Sequence, residues 1–400
     1  MSTPVYRDPS WLRSEIDAIL SFYYPTCVDE ADGGFVAQLD EESGAVYDSD
    51  PKHLVATSRY TANFCRGHRY DGPEWCRSMA ERGVEFLRET HRDPEVGGYD
   101  WLLEGTEPVD RRRVCYGHAF VLLAYAEATD VGIDGARECL GDAYDVLIDR
   151  FWEPDHSLCE SEYAADWSEA EDYRGQNANM HTCEAMLAAY EATGQRRYLD
   201  RAREIAHAIT VELARGREGL LWEHYTADWD HDMGYNRDDP RHQFRPWGYQ
   251  PGHHVEWAKL LAVLDRHADT DWALSRAREL FDAAVSHGWD PEYGGFHYTF
   301  DPDGSPVVED KYGWPVAEGI GAAAALYERT NDERYTEWYD RFWAYAGEAL
   351  VAPGRNWYRK RTRDDDPYET ASGPAVEPGY HPIGACVESI RSFEAIPNAE

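Results

Sequence analysis

The feature that most constrains this chain is an internal repeat. A small or glycine turn leading into a large apolar residue recurs at Gly33-Gly34-Phe35, Gly97-Gly98-Tyr99, Ser157-Leu158, Gly219-Leu220-Leu221-Trp222, Gly294-Gly295-Phe296 and Asn356-Trp357-Tyr358. These marks divide the 400 residues into six units of roughly sixty. Between marks, apolar residues return every three or four positions, which predicts two helices per unit. The first helices fall near 11–24, 74–91, 135–152, 197–213, 271–287 and 332–350. The second fall near 53–69, 114–128, 177–193, 253–267, 315–330 and 381–393.

The two sets differ in character. First helices are amphipathic and charged, as in the run from Arg196 to Arg203. Second helices are apolar nearly all round, as in the run from Gly117 to Ala126, and a helix apolar on every side is buried. Six exposed helices alternating with six buried ones predict an all-α fold, an (α/α)6 barrel of six helix hairpins. A superhelical solenoid would need polar capping repeats, which the terminal units lack. The alternation from Gly295 to Asp301, followed by Asp303-Gly304, predicts short β-hairpin loops between helices. No linker interrupts the chain, so residues 1–400 are expected to form a single domain. The run Asp364-Asp365-Asp366 reads as a solvated loop.

Composition narrows the partners. The formal net charge is −37, a field that repels nucleic acid and anionic lipid alike. Only Lys52, Lys259, Lys311 and Lys360 are lysines; the other basic residues are arginines. At ~1 M salt the Debye length falls to roughly 3 Å and such self-repulsion is screened. The chain is therefore expected to come from a salt-accumulating halophile. Its eight cysteines show no CxxC spacing and read as reduced, buried side chains. Residues Met1 to Arg13 hold no apolar signal core, and the longest apolar stretch, Ala119 to Ala126, is too short to span a bilayer. A soluble, cytoplasmic protein is expected, its oligomeric state open.

The chemistry gathers where the buried helices begin. Asn177 and His181 open the third, His253, His254 and Glu256 the fourth, Trp314 and Glu318 the fifth, and His381 the sixth. Arg59 lies in the first, and Tyr116 and His118 open the second. In a closed ring these starts converge on one mouth. A mouth lined by His, Arg, Asn, Glu and Trp suits a polyol, since aromatic faces stack on C–H groups while the polar groups bind hydroxyls. Imidazoles both take and give protons near neutral pH. His181, His253 and His381 would share one level of the cavity, whereas His254 reads as a packing residue. His253 and Glu256 are three apart on one helix face, so the carboxylate is expected to orient the ring. The same spacing suits a metal half-site, but no dense second set of carboxylates is evident, and no metal is expected.

Three stretches carry a resemblance: Arg174 to His181, Phe244 to Trp257, and Tyr380-His381-Pro382. Together they resemble the N-acylglucosamine 2-epimerase family, and within it the aldose–ketose isomerase branch, over nearly the whole chain. The resemblance implies the (α/α)6 barrel and a monosaccharide substrate, with no metal or other cofactor. It implies His253 and His381 as the proton-transfer pair, Glu256 supporting His253, and His181 assisting at the ring oxygen or O1. Arg59, Asn177 and Arg245 would hold the opened sugar and its enediolate oxygens, with Tyr116 and Trp314 as further matches; Glu318, from its place at the start of the fifth buried helix, is also expected to contact substrate. The expected reaction interconverts an aldose and its ketose, of mannose–fructose type. A 2-epimerase of N-acylhexosamines or disaccharides would use the same residues, and a glycoside hydrolase could occupy the same barrel. The segment 357–377 does not align and is expected to carry part of the specificity.

Overall fold

The periodicity becomes twelve α-helices in a computed structural model, which describes residues 5–242, 245–368 and 375–396. Phe244 and part of the 357–377 segment lie outside the described residues. In chain order the units pair α1 (Pro9–Tyr23) with α2 (Leu54–Arg69), α3 (Trp75–Phe86) with α4 (Cys115–Asp130), and α5 (Ala136–Val146) with α6 (Gln176–Thr193). Then follow α7 (Arg196–His207) with α8 (Pro251–His267), α9 (Ala273–His287) with α10 (Gly313–Thr330), and α11 (Glu333–Tyr345) with α12 (Tyr380–Ala395). Four of the first helices end in a wider π turn, at Leu87–His91, Leu147–Phe151, Ala208–Glu212 and Ala346–Leu350.

Burial follows the predicted division. From Cys115 to Ala128, α4 is buried except at Tyr116, while α7 buries only the stripe Tyr198, Leu199, Ala202, Ile205 and Ala206. The even-numbered helices touch in the order α2, α4, α6, α8, α10, α12, and α12 returns to α2. The odd-numbered helices pack outside them.

The repeated marks set where the inner helices begin. Each is a turn through left-handed backbone, with φ of 63° at Gly34, 78° at Gly98, 56° at Ser157, 84° at Gly219, 69° at Gly295 and 72° at Arg355. The turn folds the chain back on itself, so that Val28 faces Phe35, Arg92 faces Tyr99, and Trp289 faces Phe296. Glycine is needed at Gly295 for a second reason: a Cβ there would lie 2.5 Å from the hydroxyl of Tyr345. The Asp303-Gly304 hairpin is present too, pairing Thr299–Phe300 with Pro306–Val308.

An ion pair ties each of four mark loops to the next buried helix. Asp29, Asp93 and Asp290 each accept two backbone N–H groups of their own turn. Each then meets a cation two residues before an inner helix: Lys52 at 2.7 Å, Arg113, and Lys311 at 2.9 Å. Arg174 meets Glu153 in the same way, at 3.0 Å. Lys52, Arg113 and Lys311 are fully buried. Deleting one partner of such a pair strands the other charge, so Lys52→Met is expected to lower the unfolding free energy by roughly 3 kcal/mol. Urea titration in high salt checks this; a loss below ~1 kcal/mol would show that the clasp contributes no more than an exposed ion pair. All eight cysteines are buried and unbridged. Among the described residues, no helix is long and apolar enough to cross a membrane.

Candidate active site

Proline marks the starts of three inner helices. Pro251 is the first residue of α8, and Pro315 and Pro382 sit in the first turns of α10 and α12, where no intrahelical N–H bond is lost. The residues beside these prolines meet. The ring of Trp314 lies 5.1 Å from that of His253 and 5.7 Å from that of His381. Gly252 allows this approach, since a Cβ there would collide with the Trp314 indole. His181 packs on Tyr116 at 5.2 Å and on Phe120 at 4.7 Å, and Phe120 reaches Tyr380, the neighbour of His381. Arg59 donates to the Tyr116 hydroxyl at 3.1 Å. All three histidines are buried.

Each imidazole has a carboxylate at Nδ1. For His381 it is Glu318 at 2.7 Å, and for His181 it is Glu184 at 2.9 Å. For His253 it is Glu223 at 2.8 Å, which corrects the expected pairing with Glu256. Gln176 explains the choice. The Trp257 indole donates to its Oε1 at 2.7 Å, which leaves the Nε2 of Gln176 to donate to Glu223 at 2.8 Å. Glu223 and the Nε2 of Gln176 both lie 2.8 Å from Nδ1 of His253. Burial alone would raise Glu223, but its contact with His253 and the hydrogen bond from Gln176 hold it below the usual range. Glu256 turns the other way, its Oε1 3.9 Å from His181 Nδ1 and both oxygens buried without hydrogen-bond partners. Burial and the facing Glu318 raise Glu256 well above the ordinary carboxyl value, beyond what Lys259 and His381 offset.

Glu223 escapes a reading by helix face because it lies in a hairpin of another unit. The strand His224–Tyr225 pairs with Arg174–Gly175, and that register brings Glu223 beside Gln176. Its position directly after the mark Gly219 to Trp222 was the available signal. Glu377 was missed as well. Its carboxylate lies 2.7 Å from Arg59 and 3.3 Å from Nε2 of His381, and Arg59 also donates to the Val376 carbonyl.

The histidines differ in charge. Burial lowers His181 to about 4, outweighing the contact with Glu184, so the ring is neutral. Burial would lower His381 too, but Glu377 and Glu318 outweigh it and raise that ring to about 9. His381 is therefore an imidazolium at neutral pH.

Three expected substrate contacts stand differently in the structure. Glu318 is buried under the rings, its two oxygens held by His381 and Lys259. Arg245 stands on the neighbouring loop, held by Glu171 at 2.8 and 3.0 Å, by Tyr235, and over the Tyr173 ring. Its guanidinium is thus engaged away from the histidines. Asn177 keeps a buried Oδ1 with no partner among the described residues. His254 packs as expected, with Nδ1 on the Gln250 carbonyl and Nε2 accepting from Leu221 N–H.

A carboxylate set does exist, contrary to the sequence reading. His181, Glu184 and Glu256 bring ligand-type atoms within 4.8 Å of one another, as do Glu256, Glu318 and His381. The Lys259 ammonium already stands between two of these carboxylates, against Glu318 and 3.9 Å from Glu184. A covalent cation thus supplies the charge a metal would bring, and the two Nδ1 atoms are held by carboxylates. The arrangement is one of imidazole–carboxylate pairs, able to move protons to and from a buried substrate.

Residues 33–385 match the N-acylglucosamine 2-epimerase (GlcNAc 2-epimerase) family. The chain belongs to that family, and it is an isomerase. A D-mannose isomerase of Marinomonas mediterranea is 40% identical over 98% of this chain and 100% of its own length. A D-mannose isomerase of Thermobifida fusca is 41% identical over 86% of this chain and 84% of its own. A crystal structure of D-mannose isomerase superposes with a TM-score of 0.93 at 40% identity, covering 98% of this chain and 100% of that one.

Proposed function

We propose that this enzyme interconverts D-mannose and D-fructose without a cofactor, as a single-domain (α/α)6 barrel. The observation that carries the reading is the pair His253 and His381 beside Trp314, the first with the Glu223 carboxylate on Nδ1 and the second a cation; a proton held on Nδ1 by Glu223 leaves Nε2 of His253 as the base. A carboxylate that fixes the histidine proton on one nitrogen leaves the other to act as a base, and a charged imidazolium supplies an acid. The full-length identity to D-mannose isomerases supports the substrate.

After ring opening, His253 Nε2 removes the proton on C2, which the adjacent carbonyl acidifies. Electrons move into a C1–C2 double bond, and negative charge grows on O1. The His381 imidazolium and the Arg59 guanidinium face that charge, in a buried site where such donors act most strongly. The starts of six inner helices add a modest positive potential. His381 gives its proton to O1 as the charge builds there; His253 then returns a proton to C1 while the O2 proton passes back to His381, giving the ketose. His181, neutral, is suited to move a proton at the ring oxygen or O1 during opening.

The test is proton NMR of mannose incubated with the enzyme in D2O at ~2–3 M KCl, a salt level chosen from the screening argument. Fructose carrying deuterium at C1, to the extent that the proton on His253 exchanges before its return, is the expected product, with the rate unchanged after exhaustive EDTA dialysis. Glucose appearing ahead of fructose would assign a 2-epimerase instead. Activity lost to EDTA and restored by a divalent ion would overturn the cofactor-free mechanism. Rates that rise from low salt to this level would support the halophilic, cytoplasmic setting read from the charge.

A further inference from the structure

Lys259 takes no part in the reaction above, yet it is buried at the centre of the inner ring. It stands on α8 one turn after Glu256. Its ammonium contacts Oε2 of Glu318 and lies 3.9 Å from Oε1 of Glu184. The other oxygen of Glu318 holds His381 at 2.7 Å, and the other oxygen of Glu184 holds His181 at 2.9 Å. The neighbouring helix makes room for it: a Cβ on Gly321 of α10 would meet the Lys259 stem at 3.2 Å. On the far side from the histidines, a cavity of about 480 Å³ is lined by Lys259, Glu184, Arg66, Glu127, Glu388 and Arg391. It lies toward the last turns of the inner helices, opposite the substrate mouth.

We infer that Lys259 is a positioning residue, whose single ammonium keeps the carboxylates behind His181 and His381 ionised together and is itself reached by solvent from the opposite end of the ring. The inference rests on the proton-transfer reading above. Two carboxylates and a third carboxyl, Glu256, crowd one buried volume, and like charges there cannot all ionise without a cation. The other charged and titratable groups facing the cluster include Arg59 and Arg66 of α2, Tyr116 of α4, His181 of α6, and Tyr380 and His381 of α12, with Glu377 just before α12. Tyr380 donates its hydroxyl to Glu184 at 2.8 Å, and Arg66 is already engaged by Glu127 at 2.9 Å. Among the described residues, Lys259 is the cation that both contacts Glu318 and approaches Glu184.

The sign of the effect follows. Without the ammonium, Glu184 and Glu318 hold a proton at higher pH; a protonated Glu184 no longer fixes the His181 proton on Nδ1, and a protonated Glu318 no longer helps hold His381 charged. Lys259→Met is expected to lower kcat for mannose about thirty-fold or more, with KM within roughly threefold, and to move the acid limb of kcat up by about one pH unit or more. In Lys259→Ala, methylammonium or ethylammonium should restore kcat saturably, entering through the far cavity. A merely structural lysine would lower activity with an unmoved acid limb and no amine rescue, and either result would overturn the inference. Should neither variant fold, the wild type decides. Its four lysines allow labelling with ¹³C at Cε, and the signal absent from Lys259→Arg should move as pH crosses the acid limb. A signal flat across that range would overturn the inference. A wild type that makes no fructose refutes the underlying reading, whereas an active wild type with an unmoved variant refutes only the role of Lys259.

Discussion

His253→Gln is expected to convert mannose about a thousandfold more slowly than the wild type, with KM within roughly threefold. Glutamine keeps a polar group of similar reach but cannot accept and return a proton, so the loss falls on the chemical step. A thousandfold corresponds to about 4 kcal/mol of transition-state stabilisation, at 1.36 kcal/mol per decade. Deuterium incorporation from D2O should fall with the rate, because the same nitrogen removes the C2 proton and delivers it to C1. The partner residue sharpens the test. Glu223→Gln keeps the shape of the pair but can donate to Nδ1, which drives the histidine proton to Nε2 and blocks the base. A loss of about a hundredfold or more is expected there, with unchanged thermal stability, since tautomer control by a buried carboxylate has effects of this size or larger elsewhere. Retention of more than a tenth of the wild-type kcat in His253→Gln would remove this residue from the proton-transfer step.

How much of this was legible in the sequence differs between the scaffold and the pairs. The helix starts were legible because glycine marks and prolines are local chemistry: Gly295 needs its positive φ, and Pro251 and Pro382 belong in first turns. From those starts the convergence of His181, His253, His381, Arg59, Tyr116 and Trp314 followed. The carboxylate partners were not equally visible. One spacing rule gave opposite outcomes on two helices: Glu184, three after His181, does hold it, whereas Glu256, three after His253, does not. On α8 a competitor arrives from the hairpin at His224–Tyr225, and strand pairing across units cannot be read from helix periodicity. The lysine scarcity also changes meaning. Each of the four is engaged with a carboxylate: Lys52 with Asp29, Lys259 with Glu318, Lys311 with Asp290 and Lys360 with Asp310. Lysine is kept for such pairs, and the surface carries arginine and acid.

Glu377→Gln is expected to move the alkaline limb of kcat/KM down by about one pH unit or more, the size of shift produced by one close opposite charge. His381 must be protonated to act as the acid, so activity is present below its pKa, raised to about 9, and is lost as pH rises through it. Glu377 is the foremost charge holding it there. Its carboxylate also faces Arg59, and although burial would raise it, these two cations hold it down to about 2, so it is ionised wherever the enzyme works. The single amide oxygen of glutamine can accept from His381 while its NH2 group stands against Arg59, so the charge and the Arg59 hydrogen bond are removed together. The variant should therefore match the wild type near pH 6 and fall behind it above pH 7. Removing the negative charge also frees the Arg59 guanidinium to meet an anion, so weak conversion of an anionic aldose such as mannuronate should appear. An alkaline limb left where the wild type has it would mean that another group carries the acid role, and His381→Gln would then separate the two by leaving that limb in place while lowering kcat.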